Sequence, residues 1–325
     1  MHSILLIGCG YWGKNWYNTI KRTKQITLTN GTIVQVRIAA IVDPHPSIAV
    51  DEPCFASLDD VNILFTHAIV ATQADLHVDA FDKLIASIPP QNILVEKPCG
   101  RTLEERLKLN KAFPGYIFLS SPQYHTILKM IVQRELGRLL YINFERASMG
   151  PRIRTDVDII EDYMIHDLYL YVALFCQVGD FNLEDFKIQG YLQHNFDEPI
   201  KADTAFFSVI KNGTIANFFS SWNYPQKQRK ITIVGEKGSI IWEGDSLLYN
   251  GSNYTPINGL DQHRNPNYKL TQMDHVDITT TQKLDNLQLQ LKSFLEQRRR
   301  NVCMEQTSYL VDYMKKNAYV IKKQQ

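Results

Sequence analysis

Along the first third of the chain, short apolar runs alternate with segments whose apolar residues recur at helical spacing. Ser3–Ile7 is an apolar run ending at glycine, as a strand buried on both faces of a parallel sheet does. Val34–Val42, Ala68–Ala71, Ile93–Val95 and Tyr116–Leu119 read as further strands. Between them, Tyr11–Lys21 reads as a helix, and Asp75–Ala86 places Leu76, Phe81, Leu84 and Ile85 at helical spacing. Thr102-Leu103-Glu104-Glu105 has the spacing of a capping box and opens another helix. Strands and helices in alternation predict a doubly wound parallel sheet.

Beyond Ser121-Pro122 the pattern changes. Gln123–Leu136 reads as a connecting helix, Leu139–Ala147 as a long strand and Ile159–Phe175 as a helix. Phe206–Ile210 and Ile215–Ser220 flank Asn212-Gly213, a hairpin-turn dipeptide. Ile231–Val234 and Ser239–Trp242 flank Glu236-Lys237-Gly238. Asn250–Asp277 reads as a polar loop, and Gln282–Arg298 and Gln306–Lys322 as closing helices. The expectation is therefore two domains: residues 1–122 as a doubly wound α/β domain, and residues 123–325 as an α+β domain with a large open, mixed or antiparallel sheet.

Composition narrows the class. The chain has 325 residues, 44% hydrophobic and 21% charged, enough to bury two cores. A formal net charge of +1 lacks the basic excess of proteins that bind nucleic acids or membrane surfaces. Cys9, Cys54, Cys99, Cys176 and Cys303 form no CxxC pair, so reduced thiols in a cytoplasmic protein are expected rather than disulfides or zinc. No His, Cys, Asp or Glu cluster has metal-ligand spacing. The N-terminal apolar run leads straight into a glycine turn, as a strand does and a signal peptide does not. The longest mostly apolar stretch, Leu168–Val178, is too short for a membrane span.

Chemistry enters at Gly8-Cys9-Gly10-Tyr11-Trp12-Gly13. This is GxGxxG between a strand and a helix, the dinucleotide fingerprint of a Rossmann domain. Gly8 permits the turn, Gly10 lets a pyrophosphate approach the backbone, Gly13 lets helix pack on strand, and the helix start offers N–H groups to phosphate. Asp43 ends the second strand, where an acid accepts from ribose hydroxyls and repels a 2′-phosphate, favouring NAD over NADP. It lies thirty positions after Gly13 rather than the usual twenty or so. An insertion around Thr27–Thr32, with a turn at Asn30-Gly31, accounts for the excess; the alternative is a loop aspartate before Pro44.

Several blocks, in order, resemble the glucose–fructose oxidoreductase and inositol dehydrogenase family. Gly8–Asn15 resembles its opening fingerprint. Thr72-Gln73-Ala74-Asp75-Leu76-His77 is similar to its TPxxxH block, with Gln73 for proline. Glu96-Lys97-Pro98 matches EKP, and Asp162–Asp167 matches DxxxHD. Arg154–Asp158, Ser221–Pro225 and Arg229–Gly238 resemble the sugar-nucleotide 3-dehydrogenase branch. Tyr163, Met164 and Ser120 depart from the branch, and the last eighty or so residues carry no block of it.

The resemblance implies a cofactor site at Gly8, Gly10, Tyr11, Trp12, Gly13, Asp43, Thr72, His77, Glu96 and Lys97, and a catalytic set of Lys97, Asp162 and His166. Oxidising a secondary alcohol needs a base, a group that stabilises the alkoxide, and a carbon placed against the nicotinamide. His166 is assigned as the base and Lys97 as the alkoxide stabiliser. Asp162, four residues before His166 on one helical face, orients the imidazole or binds a neighbouring hydroxyl. Arg152 and Arg154 are candidate contacts to an anionic substrate, or else exposed loop arginines. Taken singly, Lys97 and His166 read as a strand-end turn and a packed histidine; their occurrence together with the fingerprint reverses that. Two other functions compete. A non-catalytic cofactor-binding regulator need not retain Lys97, Asp162 and His166, and an imine reductase need not retain DxxxH. The family also implies a homodimer or homotetramer formed across the open sheet of the second domain.

Overall fold

The computed structural model describes residues 1–149, 154–178, 182–197, 201–251, 274–275, 284–297 and 302–322. Its helices are α1 Gly13–Thr23, α2 His77–Leu84, α3 Leu103–Leu109, α4 Pro122–Val132, α5 Ile165–Val178, α6 Asn286–Leu295 and α7 Val302–Asn317. Two compact units divide the chain, Met1–Ser121 with Gln282–Asp312, and Pro122–Thr281 with Tyr313–Gln325. The first unit ends at Ser121, next to the expected division at 122/123, and takes in residues 282–312 as well.

The first unit holds β1 His2–Ile7, β2 Gln25–Thr27, β3 Ile33–Val42, β4 Cys54–Phe55, β5 His67–Val70, β6 Ile93–Glu96 and β7 Phe113–Gly115. Their order is β2-β3-β1-β5-β6-β7, with β4 beside β3. All pairings are parallel except β2 with β3. The chain leaves β1 toward β3 on one side and fills β5, β6 and β7 on the other, which makes the carboxyl end of β1 the switch point where doubly wound folds bind ligands.

Side chains of β1 alternate between two cores. Ile4 and Leu6 join Trp16, Ile20 and Phe113 on one face, while Leu5 and Ile7 join Phe81, Leu84 and Leu109 on the other. Leu287, Leu291, Phe294 and Leu295 of α6 complete the first of these cores. Each fully buried Leu or Phe of this kind stabilises by roughly 1.5–3 kcal/mol, which is why this helix belongs to the first unit despite its place in the sequence. Asp285 caps α6 in a reciprocal box with Gln288 and pairs with Arg22 of α1.

β2 and the start of β3 form the inserted hairpin. Its loop closes with Leu28 N donating to Thr32 O at 2.8 Å, and Gly31 has φ +83°. That hairpin is the physical origin of the long interval from Gly13 to Asp43. The fifth strand differs from expectation. β7 is Phe113–Gly115, and the apolar run after it is a 3-10 turn, Ile117–Ser120. Ile117 packs against the core that α6 completes, and a run of four apolar residues does not distinguish a strand from such a packed turn.

The second unit holds β8 Leu139–Ala147, β9 Lys187–His194, β10 Thr204–Lys211, β11 Thr214–Ser221, β12 Gln228–Gly235, β13 Ser239–Glu243, β14 Ser246–Asn250, β15 Asp274–His275 and β16 Tyr319–Lys322. They form one mixed sheet, β15-β14-β13-β12-β8-β11-β10-β9-β16, with β8/β11 and β9/β16 parallel. Asn212 and Gly213, at φ 50° and 77°, turn β10 into β11. One face is buried: Phe144 and Phe218 stack at 4.8 Å, and Tyr171 of α5 meets Phe218 edge-on at 5.4 Å. On the other face Tyr191, Phe206, Ile210 and Ile215 stay exposed. The last expected helix runs five residues too far, since α7 ends at Asn317 and Tyr319–Lys322 pairs with β9. An aromatic residue followed by two β-branched ones favours a strand there. Most of the expected 250–277 loop lies outside the described residues.

Among the described residues no helix is long and apolar enough to cross a membrane, and no group of three or more His, Cys, Asp or Glu could hold a metal ion.

Candidate functional site

In the first unit the glycine loop sits between the end of β1 and α1. Gly8 has φ +86°, and a Cβ there would lie 2.8 Å from Ala71 and Thr72 backbone atoms. A Cβ on Gly13 would lie 1.9 Å from Gly8 O, so these two glycines are fixed by the protein itself. Gly10 is different: a Cβ there meets nothing within 4 Å. The space over Gly10 is open to a ligand, as the fingerprint requires of its second glycine. Helix α1 starts at Gly13 with Trp12 before it, no side-chain cap and no acid in its first turn, leaving its positive end to an external anion. Tyr11 is exposed beside this end, with Lys14 Nζ 5.4 Å from its ring centroid.

Asp43 closes over the loop. Its Oδ2 accepts the Cys9 amide at 2.6 Å and its Oδ1 the His45 amide at 2.8 Å. Each oxygen keeps a further lone pair for an outside donor. Ser47, which the sequence reading did not single out, ties the same loop: its amide donates to Cys9 O at 3.0 Å and its hydroxyl to Cys9 O at 2.7 Å. Thr72 lines the loop after β5, and its Oγ1 is buried with no hydrogen-bond partner among the described residues. An open Gly10, a bare helix start and an unsatisfied buried hydroxyl suit a dinucleotide.

The Glu96-Lys97-Pro98 turn follows β6. Glu96 is buried, and burial pushes its carboxyl above the usual carboxylate range. Against that, Trp16 Nε1 donates to its Oε1 at 2.7 Å and the Lys97 amide to its Oε2 at 3.3 Å. Glu96 thus anchors the strand end to α1, from which half-buried Lys97 extends. His77 is buried, with Nδ1 3.1 Å from Pro98 O and Nε2 3.1 Å from Thr72 O. Both ring nitrogens face carbonyls, so His77 clamps the turn after β5 to the turn after β6. Cys99 lies beneath, its thiol pushed up to about 12 by burial.

In the second unit, DxxxHD begins in a wide π turn, Ile160–Met164, which runs into α5. Such turns within helices cluster at functional sites. Asp162 is buried, with Oδ1 accepting Arg154 Nη1 at 3.3 Å and Oδ2 accepting Trp222 Nε1 at 3.1 Å. Arg154 also forks onto Asp156, so its guanidinium is turned to internal partners. Arg152 lies outside the described residues. His166 is half-buried at the start of α5. Asp167 is set apart from it by a buried fork from Arg146, Nε to Oδ2 at 2.9 Å and Nη2 to Oδ1 at 2.6 Å. Burial still raises the Asp167 carboxyl, with Arg146 opposing. Tyr163 shares a hydrogen bond with Ser148 at 2.8 Å. Trp222 sits in a quoted block but was not singled out there; the structure shows its buried indole N–H donating to Asp162.

No family model matches the sequence, and no curated protein matches it. Solved structures do. UDP-N-acetylglucosamine 3-dehydrogenase from Acidithiobacillus ferrooxidans is 18% identical over 98% of this chain and 97% of its own, with a TM-score of 0.72. A levoglucosan dehydrogenase in complex with NADH is 15% identical over 98% and 96%, with a TM-score of 0.73. A 3-ketoreductase from Actinomadura kijaniata, in complex with TDP-benzene and NADP, is 13% identical over 99% of both chains, with a TM-score of 0.72. The chain has the two-domain α/β fold of these oxidoreductases.

Proposed function

We propose that the chain is an NAD(P)-dependent oxidoreductase of the glucose–fructose oxidoreductase and inositol dehydrogenase type, acting on a secondary alcohol carbon of a sugar or sugar nucleotide. The observation that carries this reading is the cradle: an open Gly10, a helix start without an acid, and the buried Thr72 hydroxyl without a partner. Gly8–Gly13 and Thr72 would hold the dinucleotide. Asp43 would take the ribose hydroxyls on its remaining lone pairs, which favours NAD over NADP. Bound there, the nicotinamide supplies hydride acceptance and return.

The chain's own residues do the proton chemistry. His166 takes the hydroxyl proton as general base. Lys97 donates to the hydroxyl oxygen and favours its alkoxide. Asp162, its carboxylate fixed by Arg154 and Trp222, orients the imidazole or a neighbouring hydroxyl. His77 and Glu96 act behind Lys97, as clamp and anchor of its turn. The dehydrogenases and the ketoreductase that share this fold support sugars and sugar nucleotides as the substrate class.

The test is a titration with NADH and NADPH, then turnover on sugar nucleotides and free polyols, for wild type and Lys97→Ala. NADH should bind more tightly than NADPH, and Lys97→Ala should lose roughly 10²- to 10⁴-fold in kcat. Tight cofactor binding with no turnover across the panel would remove the roles given to Lys97 and His166. The reading includes a cytoplasmic location, in keeping with the free thiols of Cys9, Cys54 and Cys99. It also includes a homo-oligomer over the exposed Tyr191, Phe206, Ile210 and Ile215, because soluble monomers rarely leave such patches open. Sedimentation showing only monomer at micromolar concentration would count against the oligomer.

A further inference from the structure

Two buried acids open the segment that carries Asp162 and His166. Asp158 and Glu161 cap one another, with the Glu161 amide donating to Asp158 Oδ1 at 3.0 Å and the Asp158 amide to Glu161 Oε2 at 3.4 Å. The next turn hangs from the same box, since the Asp162 amide donates to Asp158 O at 3.0 Å. Two carboxylates so close and so buried repel each other unless a cation offsets them. That cation comes from the far end of the chain. Lys315, near the end of α7, places Nζ 2.7 Å from Asp158 Oδ2 and 2.9 Å from Glu161 Oε1. Burial works against the Lys315 ammonium, but Asp158 and Glu161 raise its pKa on balance. Around this cluster, Arg154 faces Asp162 and Asp156, and Lys201 Nζ donates to Asp156 O at 2.9 Å. Lys315 is thus a cation in direct contact with both acids of the box.

We propose that Lys315 is a positioning residue, which pins the Asp158–Glu161 box and through it the wide turn that aims Asp162. This rests on the role given to Asp162 above. Removing the ammonium leaves two acids that no longer tolerate each other as ions. The box opens, the Asp162 amide loses its fixed acceptor, and the carboxylate drifts from the Trp222 indole.

Trp222 gives a readout independent of turnover, because its indole N–H is bonded to Asp162. Subtracting the fluorescence of Trp222→Phe from its parent, in wild-type, Lys315→Met and Lys315→Arg backgrounds, isolates the Trp222 band. Lys315→Met should shift that band by several nanometres, and Lys315→Arg should return it to the wild-type position. In turnover, Lys315→Met should lose roughly 10- to 100-fold in kcat with cofactor affinity unchanged, and Lys315→Arg should recover most of it. A Trp222 band that stays in place in Lys315→Met overturns the proposal, as does a shift that arginine leaves uncorrected. If Lys315→Met does not fold, Lys315→Gln, which removes the charge but keeps an N–H donor group, is read by the same two outcomes. If wild type turns over no sugar, the function reading fails while the Trp222 band still decides this one.

Discussion

The two units hold their candidate chemistry by different means. In the first, the cradle is backbone: Gly8 and Gly13, where the protein's own atoms leave no room for a side chain, an open Gly10, an amide-bound aspartate and a helix start. In the second, it is charge: Asp162 between Arg154 and Trp222, Asp167 under Arg146, and Asp158 with Glu161 under Lys315. A glycine turn is built from a short local run, and it tolerates no added atom where its own backbone closes in, as at Gly8 and Gly13. Buried ionic networks come from distant residues and fail when one partner is removed. The two units should therefore break differently.

The largest effect is expected in the second unit. Arg146→Met leaves buried Asp167 without its hydrogen-bonded guanidinium, which should cost about 3–5 kcal/mol of stability. Arg146→Met with Asp167→Leu should recover most of it. Thermal or urea unfolding decides this, and a single variant as stable as wild type would show that the network is not held by charge.

Within the cradle, Gly13→Ala and Gly10→Ala separate folding from binding. The first drives a Cβ into Gly8 O and should destabilise by about 1–3 kcal/mol or more. The second meets no protein atom and should leave unfolding unchanged while weakening NADH binding. Equal NADH affinity in Gly10→Ala and wild type would argue that no dinucleotide lies over that glycine.

Trp222→Phe removes one N–H and keeps most of the ring. It leaves Asp162 Oδ2 without its indole donor, a loss of about 1–2 kcal/mol that should appear as roughly a tenfold drop in kcat with cofactor affinity intact. An equal rise in substrate KM with kcat unchanged would instead make Trp222 part of substrate binding.

The same contrast explains what the sequence made legible. Gly8–Gly13, the strand run to Val42 and the Asn212-Gly213 hairpin were readable because local backbone demands select residue types within a few positions. The inserted hairpin before Asp43 was readable from Asn30-Gly31. The membership of α6 in the first core was not, because Leu291 and Phe294 show that an apolar face exists but not which sheet it meets. Trp222 on Asp162 and Lys315 on Asp158 join residues with no local relation at all. His77 and Glu96 were found through the resemblance, but their work as clamp and anchor shows only in their partners.

The smallest effect lies in the first unit's interior, at a histidine whose titration is set mainly by burial rather than by a salt bridge. His67 starts β5, with Nδ1 2.9 Å from Thr66 Oγ1 and its ring edge-on to His2 at 4.7 Å and Phe294 at 5.3 Å. Burial, with His2 adding to it, lowers its pKa from 6.5 to about 4. The unfolded chain therefore takes up a proton at His67 that the folded unit refuses. Stability is full above about pH 6.5 and falls as the pH drops toward 4, by about 1 kcal/mol at pH 5.5 from this group alone. His2, lowered by burial in the same way, adds to the slope, whereas the raised carboxyls of Glu96 and Asp167 act in the opposite sense. His67→Phe keeps an apolar ring against Phe294 and removes the titration. Unfolding of both proteins between pH 5 and pH 8 should then give curves that meet near neutrality and separate in acid, with the variant holding its stability. Parallel curves would mean that the acid sensitivity of the protein lies in the paired charges of the second unit, and the contrast between the two units would have to be redrawn.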